Sequence, residues 1–206
     1  MSLSLLDLAV KGGWIMIVLL ALSILAIYIF GKKLWLLTKA SKIDRYFMND
    51  IMDQMNDGRP QSALDLCKKY DSPIARMVEK AIQNRDKSSA EIQTIMENVG
   101  NVEIQRLEKG LSGLASISGG APMIGFLGTV TGMVKAFFNM ANSGNNVDIS
   151  LLSGGIYEAM ITTVGGLIVG IIAYFAYNFL VGRVSALTAK MDSAVIDMID
   201  ILESKK

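Results

Sequence analysis

Residues 121 to 132 read Ala121-Pro122-Met123-Ile124-Gly125-Phe126-Leu127-Gly128-Thr129-Val130-Thr131-Gly132, inside a stretch, 110 to 134, of 25 residues without one charged side chain. Two further charge-free stretches, 12 to 31 and 159 to 182, hold 20 and 24 residues. At about 1.5 Å of rise per helical residue, each is long enough to cross a hydrocarbon core of roughly 30 Å. Three membrane spans are expected.

Composition agrees. The chain has 206 residues, 51% hydrophobic and 19% charged, with 20 Lys+Arg against 19 Asp+Glu, and a mean hydropathy of +0.41. That is too apolar for an ordinary soluble domain. The absence of His removes His-based acid/base catalysis and His metal sites. A single Cys67 allows neither an intrachain disulfide nor a thiolate cluster, and a net charge of +1 argues against nucleic-acid binding. Gly31-Lys32-Lys33 lacks the spacing of a phosphate-binding loop. Neither Ser118 nor Cys67 has a plausible activating base, so no enzyme activity, metal or cofactor is expected.

The first apolar run is followed by Lys32, Lys33, Lys39, Lys42 and Arg45, whereas only Lys11 precedes it. Positive charge marks the cytoplasmic side, so the N-terminus is expected outside and the C-terminus inside. Charges before an apolar core and small residues after it, the marks of a cleaved signal, are missing, so the first run reads as an uncleaved helix. Residues 32 to 109 carry 26 of the chain's 39 charges and form the expected cytoplasmic segment. The resulting organisation is a lead-in at 1–11, with Leu3 to Val10 amphipathic, and spans at 12–31, 110–140 and 151–182. A helical cytoplasmic domain occupies 32–109, an outer loop rich in Asn, Ser and Gly occupies 141–150, and a C-terminal helix occupies 183–206. The fold class is all-α, with long second and third helices extending into the cytoplasmic part.

Local signals sharpen this outline. Gly58-Arg59-Pro60 and Asp71-Ser72-Pro73 break the helical pattern, and Ser88-Ser89-Ala90-Glu91 reads as a capping box. It opens a helix carrying Ile92, Ile95, Met96, Val99, Val102 and Leu107, expected to run into the second span without a loop. Leu187, Met191, Val195, Met198 and Leu202 form one stripe of an amphipathic tail. The 13 Met residues read as packing filler.

At 100° per residue, Ala121, Gly125, Gly128, Thr129, Gly132 and Ala136 share one helix face. Gly155, Glu158, Thr162, Gly165, Gly166, Val169 and Ala173 share another. Small faces let helix backbones approach where lipid supplies no hydrophobic drive. Glu158 is the one ionisable carboxyl group between Asp148 and Arg183, and must face protein or water, or carry a proton. It lies about 12 Å from the middle of the third run, so an interfacial role near the outer mouth is its alternative. Thr129, Thr162 and Thr163 offer hydroxyls to a polar path, although Thr also bonds its own helix carbonyl. Lys135 is expected to snorkel to the outer headgroups. Three helices enclose no wide aqueous path, so the small faces and the carboxylate point to several copies, or a foreign helix, around a shared axis.

The segment from Ala121-Pro122 through Gly132-Met133 to Phe137, with the segment Gly155-Ile156-Tyr157-Glu158-Ala159-Met160-Ile161-Thr162-Thr163 through Gly166-Leu167 to Tyr177-Asn178, resembles the ExbB/TolQ/MotA proton-channel family, closest to its ExbB and TolQ branch. The resemblance covers about 60 residues strongly and the topology of the whole chain. It implies a homopentamer in the bacterial inner membrane whose pore holds the spans of an ExbD/TolR-like dimer, with a TonB/TolA-like protein beyond. Inward proton flow would then drive outer-membrane work such as TonB-dependent transport or Tol-Pal-like envelope constriction. Thr129 and Thr163 match the family's pore threonines and Glu158 its third-helix glutamate. Where relatives often have Pro, Ile172 stands, so the kink expected of them is absent. Thr163 lies about 100° around the helix from the Glu158 side, so a single stripe does not unite them without helix rotation. The alternative is a structural scaffold that assembles helices and recruits partners without conducting ions.

Overall fold

The structure is a computed structural model that describes residues 12–44, 46–142 and 149–203. The lead-in before residue 12 and most of the outer loop lie outside the described residues. Among the described residues seven helices follow in order: α1 Gly13–Ala40, α2 Phe47–Asn56, α3 Pro60–Lys69, α4 Pro73–Gln83, α5 Ser89–Glu108, α6 Leu111–Asn142 and α7 Ile149–Glu203. No strand occurs among the described residues. Three segments, Gly13–Ala40, Ser89–Asn142 and Leu152–Glu203, are long and apolar enough to cross a membrane. The protein is a multi-pass membrane protein.

The chain forms two compact units. One comprises Lys32–Lys109 and the described part of Leu180–Lys206. Its helices begin where the sequence places breaks. Pro60 and Pro73 occupy first-turn positions, where the missing N–H costs nothing. The Ser72 hydroxyl accepts from the Ala75 N–H at 3.1 Å. The capping box is complete: Ser88 N–H donates to Glu91 Oε2 at 3.1 Å, and Glu91 N–H donates to Ser88 Oγ at 3.3 Å. Phe47, Ile51, Met77, Ile82, Met96 and Met191 are fully buried in this unit, and Phe47 meets Tyr70 edge-on at 5.3 Å. Leu187, Met191, Val195, Met198 and Leu202 are all buried, as their stripe predicts.

Two details of α5 differ from expectation. Its buried stripe is Ile92, Met96, Gly100, Glu103 and Leu107, while Val102 is exposed. Glu103 holds that inward position because Arg76 neutralises it, donating from Nε to Oε1 at 3.0 Å and from Nη2 to Oε2 at 2.7 Å. Nor does α5 continue into α6. Lys109 turns extended at ψ 117° and Gly110 takes φ +92°, a left-handed conformation that glycine alone adopts freely.

The other unit comprises Gly110–Phe179 and the described part of Met1–Gly31. Here α6 and α7 touch backbone to backbone. A Cβ on Gly166 would lie 2.5 Å from the Ala121 carbonyl oxygen, and one on Gly125 would lie 2.6 Å from that of Thr162. Gly132 faces Ala159, Gly155 faces Ala136, and Gly165 receives Met16 of α1. Pro122 removes the N–H that would bond the Ser118 carbonyl, and Gly170 packs against both its ring and that carbonyl. The helix α7 runs unbroken through Ile172. The two small-residue faces are therefore packed on each other within one chain. What remains outward is large and apolar, including Phe126, Val134 and Phe138 of α6 and Ile168, Ile171 and Phe175 of α7.

Candidate functional site: a hydroxyl cluster and a carboxylate cavity between spans

The close approach at Gly125 exposes its carbonyl to α7, and three threonines gather there. Thr162 Oγ1 donates to the Gly125 carbonyl at 3.1 Å and to that of Ala159 at 2.7 Å. Thr163 Oγ1 donates to the Gly125 carbonyl at 3.2 Å, and Thr129 Oγ1 reaches the Ala159 carbonyl at 3.0 Å. The hydroxyls of Thr129 and Thr163 also hydrogen-bond each other. Thr131, by contrast, bonds its own helix at Leu127. Spacing could not separate these behaviours. The Gly125 approach decides, because a carbonyl shared by three hydroxyls needs a facing helix without side-chain bulk.

Glu158 stands apart from the paired hydroxyls, as its angular offset predicts. It lines a cavity of about 130 Å³ with Gly12, Gly13, Trp14, Ile15, Gly128, Thr131, Gly132, Lys135 and Thr162. Thr162 is the one residue common to both places. One carboxyl oxygen of Glu158 lies 2.7 Å from where a Cβ on Gly13 would sit, and Gly13, the first residue of α1, has φ +67°. The first N–H groups of α1 have no intrahelical partner, so a carboxylate beside them is favourably placed.

Sequence reasoning assigned Lys135 only to headgroups, yet it lines the carboxylate's cavity. The signal was its spacing after Gly128 and Gly132, which puts all three on one side of α6. Gly12-Gly13 was likewise passed over, because a glycine pair says nothing about which side chain comes to it. Elsewhere, burial and then the nearby Glu79 push the Cys67 thiol up to about 12, so it is no nucleophile at neutral pH. Among the described residues no cluster of His, Cys, Asp and Glu suits a metal ion.

Apolar spans that pack through glycine and hold hydroxyls and one carboxylate between them define a membrane protein with polar groups set inside its apolar part. A family model described as the MotA/TolQ/ExbB proton channel family matches residues 69–193, and the chain belongs to that family. It is 31% identical over 180 residues to the biopolymer transport protein ExbB of Neisseria gonorrhoeae, covering 81% of this chain and 79% of that one. It is 30% identical over 175 residues to a putative biopolymer transport protein ExbB homolog of Methanothermobacter thermautotrophicus, covering 84% of this chain. The match spans 62% of that relative's length. A putative ExbB-like protein of Synechocystis is 30% identical over 179 residues, covering 86% of this chain and 70% of that one.

Proposed function

We propose that this chain is the channel-forming subunit of a proton-driven motor in an inner membrane, assembled as a homopentamer around the spans of an ExbD/TolR-like dimer. The output would be outer-membrane work through a TonB/TolA-like protein, with the N-terminus periplasmic and the C-terminus cytoplasmic. The observation that carries this reading is the convergence of Thr129, Thr162 and Thr163 on the Gly125 and Ala159 carbonyls, inside helices otherwise lined by apolar groups. Hydroxyls both donate and accept, so a chain of them with water can relay a proton without binding a metal ion. Glu158 and its cavity would serve as the hydrated station on the outer side. Membrane voltage supplies the drive, about 2.3 kcal/mol per charge per 100 mV.

The scaffold reading draws on the glycine packing of α6 on α7, which is complete without any ion. Voltage-driven proton uptake into vesicles carrying the complete complex separates the two. The motor reading expects uptake above protein-free vesicles and a loss of tenfold or more in both Thr129→Ala and Glu158→Ala. Undiminished flux in both variants rejects the site assignment, and absence of flux in the wild-type complex favours the scaffold.

A further inference from the structure

The cavity beside Glu158 brings together oxygen atoms from three helices. Its lining includes the Glu158 carboxylate and the Thr162 hydroxyl of α7, the Thr131 hydroxyl of α6, and Gly12 and Gly13 where α1 begins. Its volume of about 130 Å³ is well above the room that one water needs. Both hydroxyls spend their hydrogen on a backbone carbonyl, Thr131 on that of Leu127 at 2.9 Å and Thr162 on that of Ala159 at 2.7 Å. What either can offer the cavity is therefore lone pairs. A carboxylate joined by hydroxyl, carbonyl and water oxygens is the donor set that a small, hard cation such as sodium takes.

The same lining contains a cation that belongs to the chain. Lys135 follows Thr131 and Gly132 by one turn of α6 and Gly128 by two, which sets all four on one side of that helix. Among the described residues it is the one titratable group besides Glu158 in the lining, and no ion pair joins the two directly. An ammonium carries three donors and no acceptor. Across the cavity from the carboxylate it supplies the positive charge that would otherwise draw in a metal cation, and it engages lone pairs that such an ion needs. A second cation would meet its repulsion between apolar spans, where charges are poorly screened. A proton is spared this exclusion: it joins one oxygen as an O–H bond, needs no shell of ligands and passes between hydroxyls.

We propose that Lys135 is the specificity-determining residue of the Glu158 cavity, its ammonium standing in for the sodium ion that these oxygens would otherwise take. Selectivity for protons as the purpose of this arrangement rests on the motor reading above; the exclusion of sodium from the carboxylate does not.

The test reads the carboxyl group itself. Dicyclohexylcarbodiimide modifies carboxyl groups, and a cation coordinated by Glu158 slows the reaction there. Loss of the unmodified Glu158 peptide is followed by mass spectrometry in the full-length chain, in sodium chloride and in choline chloride of equal strength. Wild type and Lys135→Arg should react at the same rate in both salts, whereas sodium should slow Lys135→Gln about fivefold. Lys135→Ser repeats the neutral change with a smaller side chain, and Lys190→Gln should behave as wild type. Slowing by sodium in the wild type overturns the proposal whatever the variants do, and so do equal rates in the two salts for both neutral variants. In the reconstituted complex, radiosodium uptake should be at the level of protein-free vesicles in wild type and should rise in Lys135→Gln. Proton uptake without any gain of sodium uptake in Lys135→Gln overturns the selectivity role alone. Absence of proton uptake in the wild-type complex rejects the motor reading, while sodium-dependent slowing in the neutral variants still establishes what Lys135 excludes.

Discussion

The two compact units solve the same packing problem by opposite means. Of the twelve largest fully buried side chains among the described residues, ten, including Phe47, Met77 and Met198, lie in the unit of residues 32–109 and 180–206, and two, Leu19 and Leu114, lie in the other. The first unit is held as water-soluble proteins are, by removing large apolar groups from water. In the second, lipid tails are as apolar as the side chains, so α6 and α7 gain by close backbone approach at Gly125 and Gly166 and by hydroxyl-to-carbonyl bonds. Polar groups follow the same division: buried Glu103, paired with half-buried Arg76, in one unit and Thr162 in the other.

The contrast breaks most visibly at the glycines. Gly166→Leu drives a side chain into the Ala121 carbonyl and should reduce the yield of monodisperse detergent-solubilised protein at least tenfold, whereas Gly182→Leu, with open space around it, should leave the yield unchanged. Size-exclusion chromatography after membrane extraction reads both. Next in size, Glu103→Ala leaves the half-buried Arg76 with Asp71 as its remaining carboxylate and, after discounting for solvent screening, should cost about 1.5 kcal/mol, seen as a fall of a few degrees in Tm.

Smaller effects sharpen the division within the hydroxyls. Thr162→Val loses bonds to two carbonyls and should cost about 1 kcal/mol, whereas Thr131→Val removes only a bond within its own helix and should cost a few tenths. Thermal melts in the same detergent compare the pair. Smallest is Asp71, whose carboxyl is held below the usual carboxylate range by hydrogen bonds from Lys39 and Arg76. Its contribution is present above the unfolded carboxylate pKa and is lost as pH falls through the lower folded value. Asp71→Asn should therefore melt slightly below wild type at pH 7, and the gap should close as pH falls below about 4.

These units were not equally legible in the sequence. The three apolar runs, the breaks before Pro60 and Pro73, the capping box at Ser88 and the tail stripe from Leu187 to Leu202 are local patterns, and each recurs in the structure. Partners are not local. The stripes containing Gly125 and Gly166 announce a close approach but do not say to what, and the structure packs them on each other within one chain. Likewise Glu103, rather than Val102, turns inward only because Arg76 comes from another helix to meet it. The break at Lys109–Gly110 escaped a periodicity argument because helical spacing persists on both sides of one left-handed glycine.

The central claim is that hydroxyls shared between α6 and α7 carry protons, and a pair of substitutions at one position tests it most directly. Thr163→Ser keeps the oxygen that bonds Gly125 and Thr129, whereas Thr163→Val keeps the shape and removes it. In voltage-driven proton uptake by the reconstituted complex, the Ser variant should stay within about twofold of wild type and the Val variant should fall tenfold or more. Equal rates for the two variants would contradict the account.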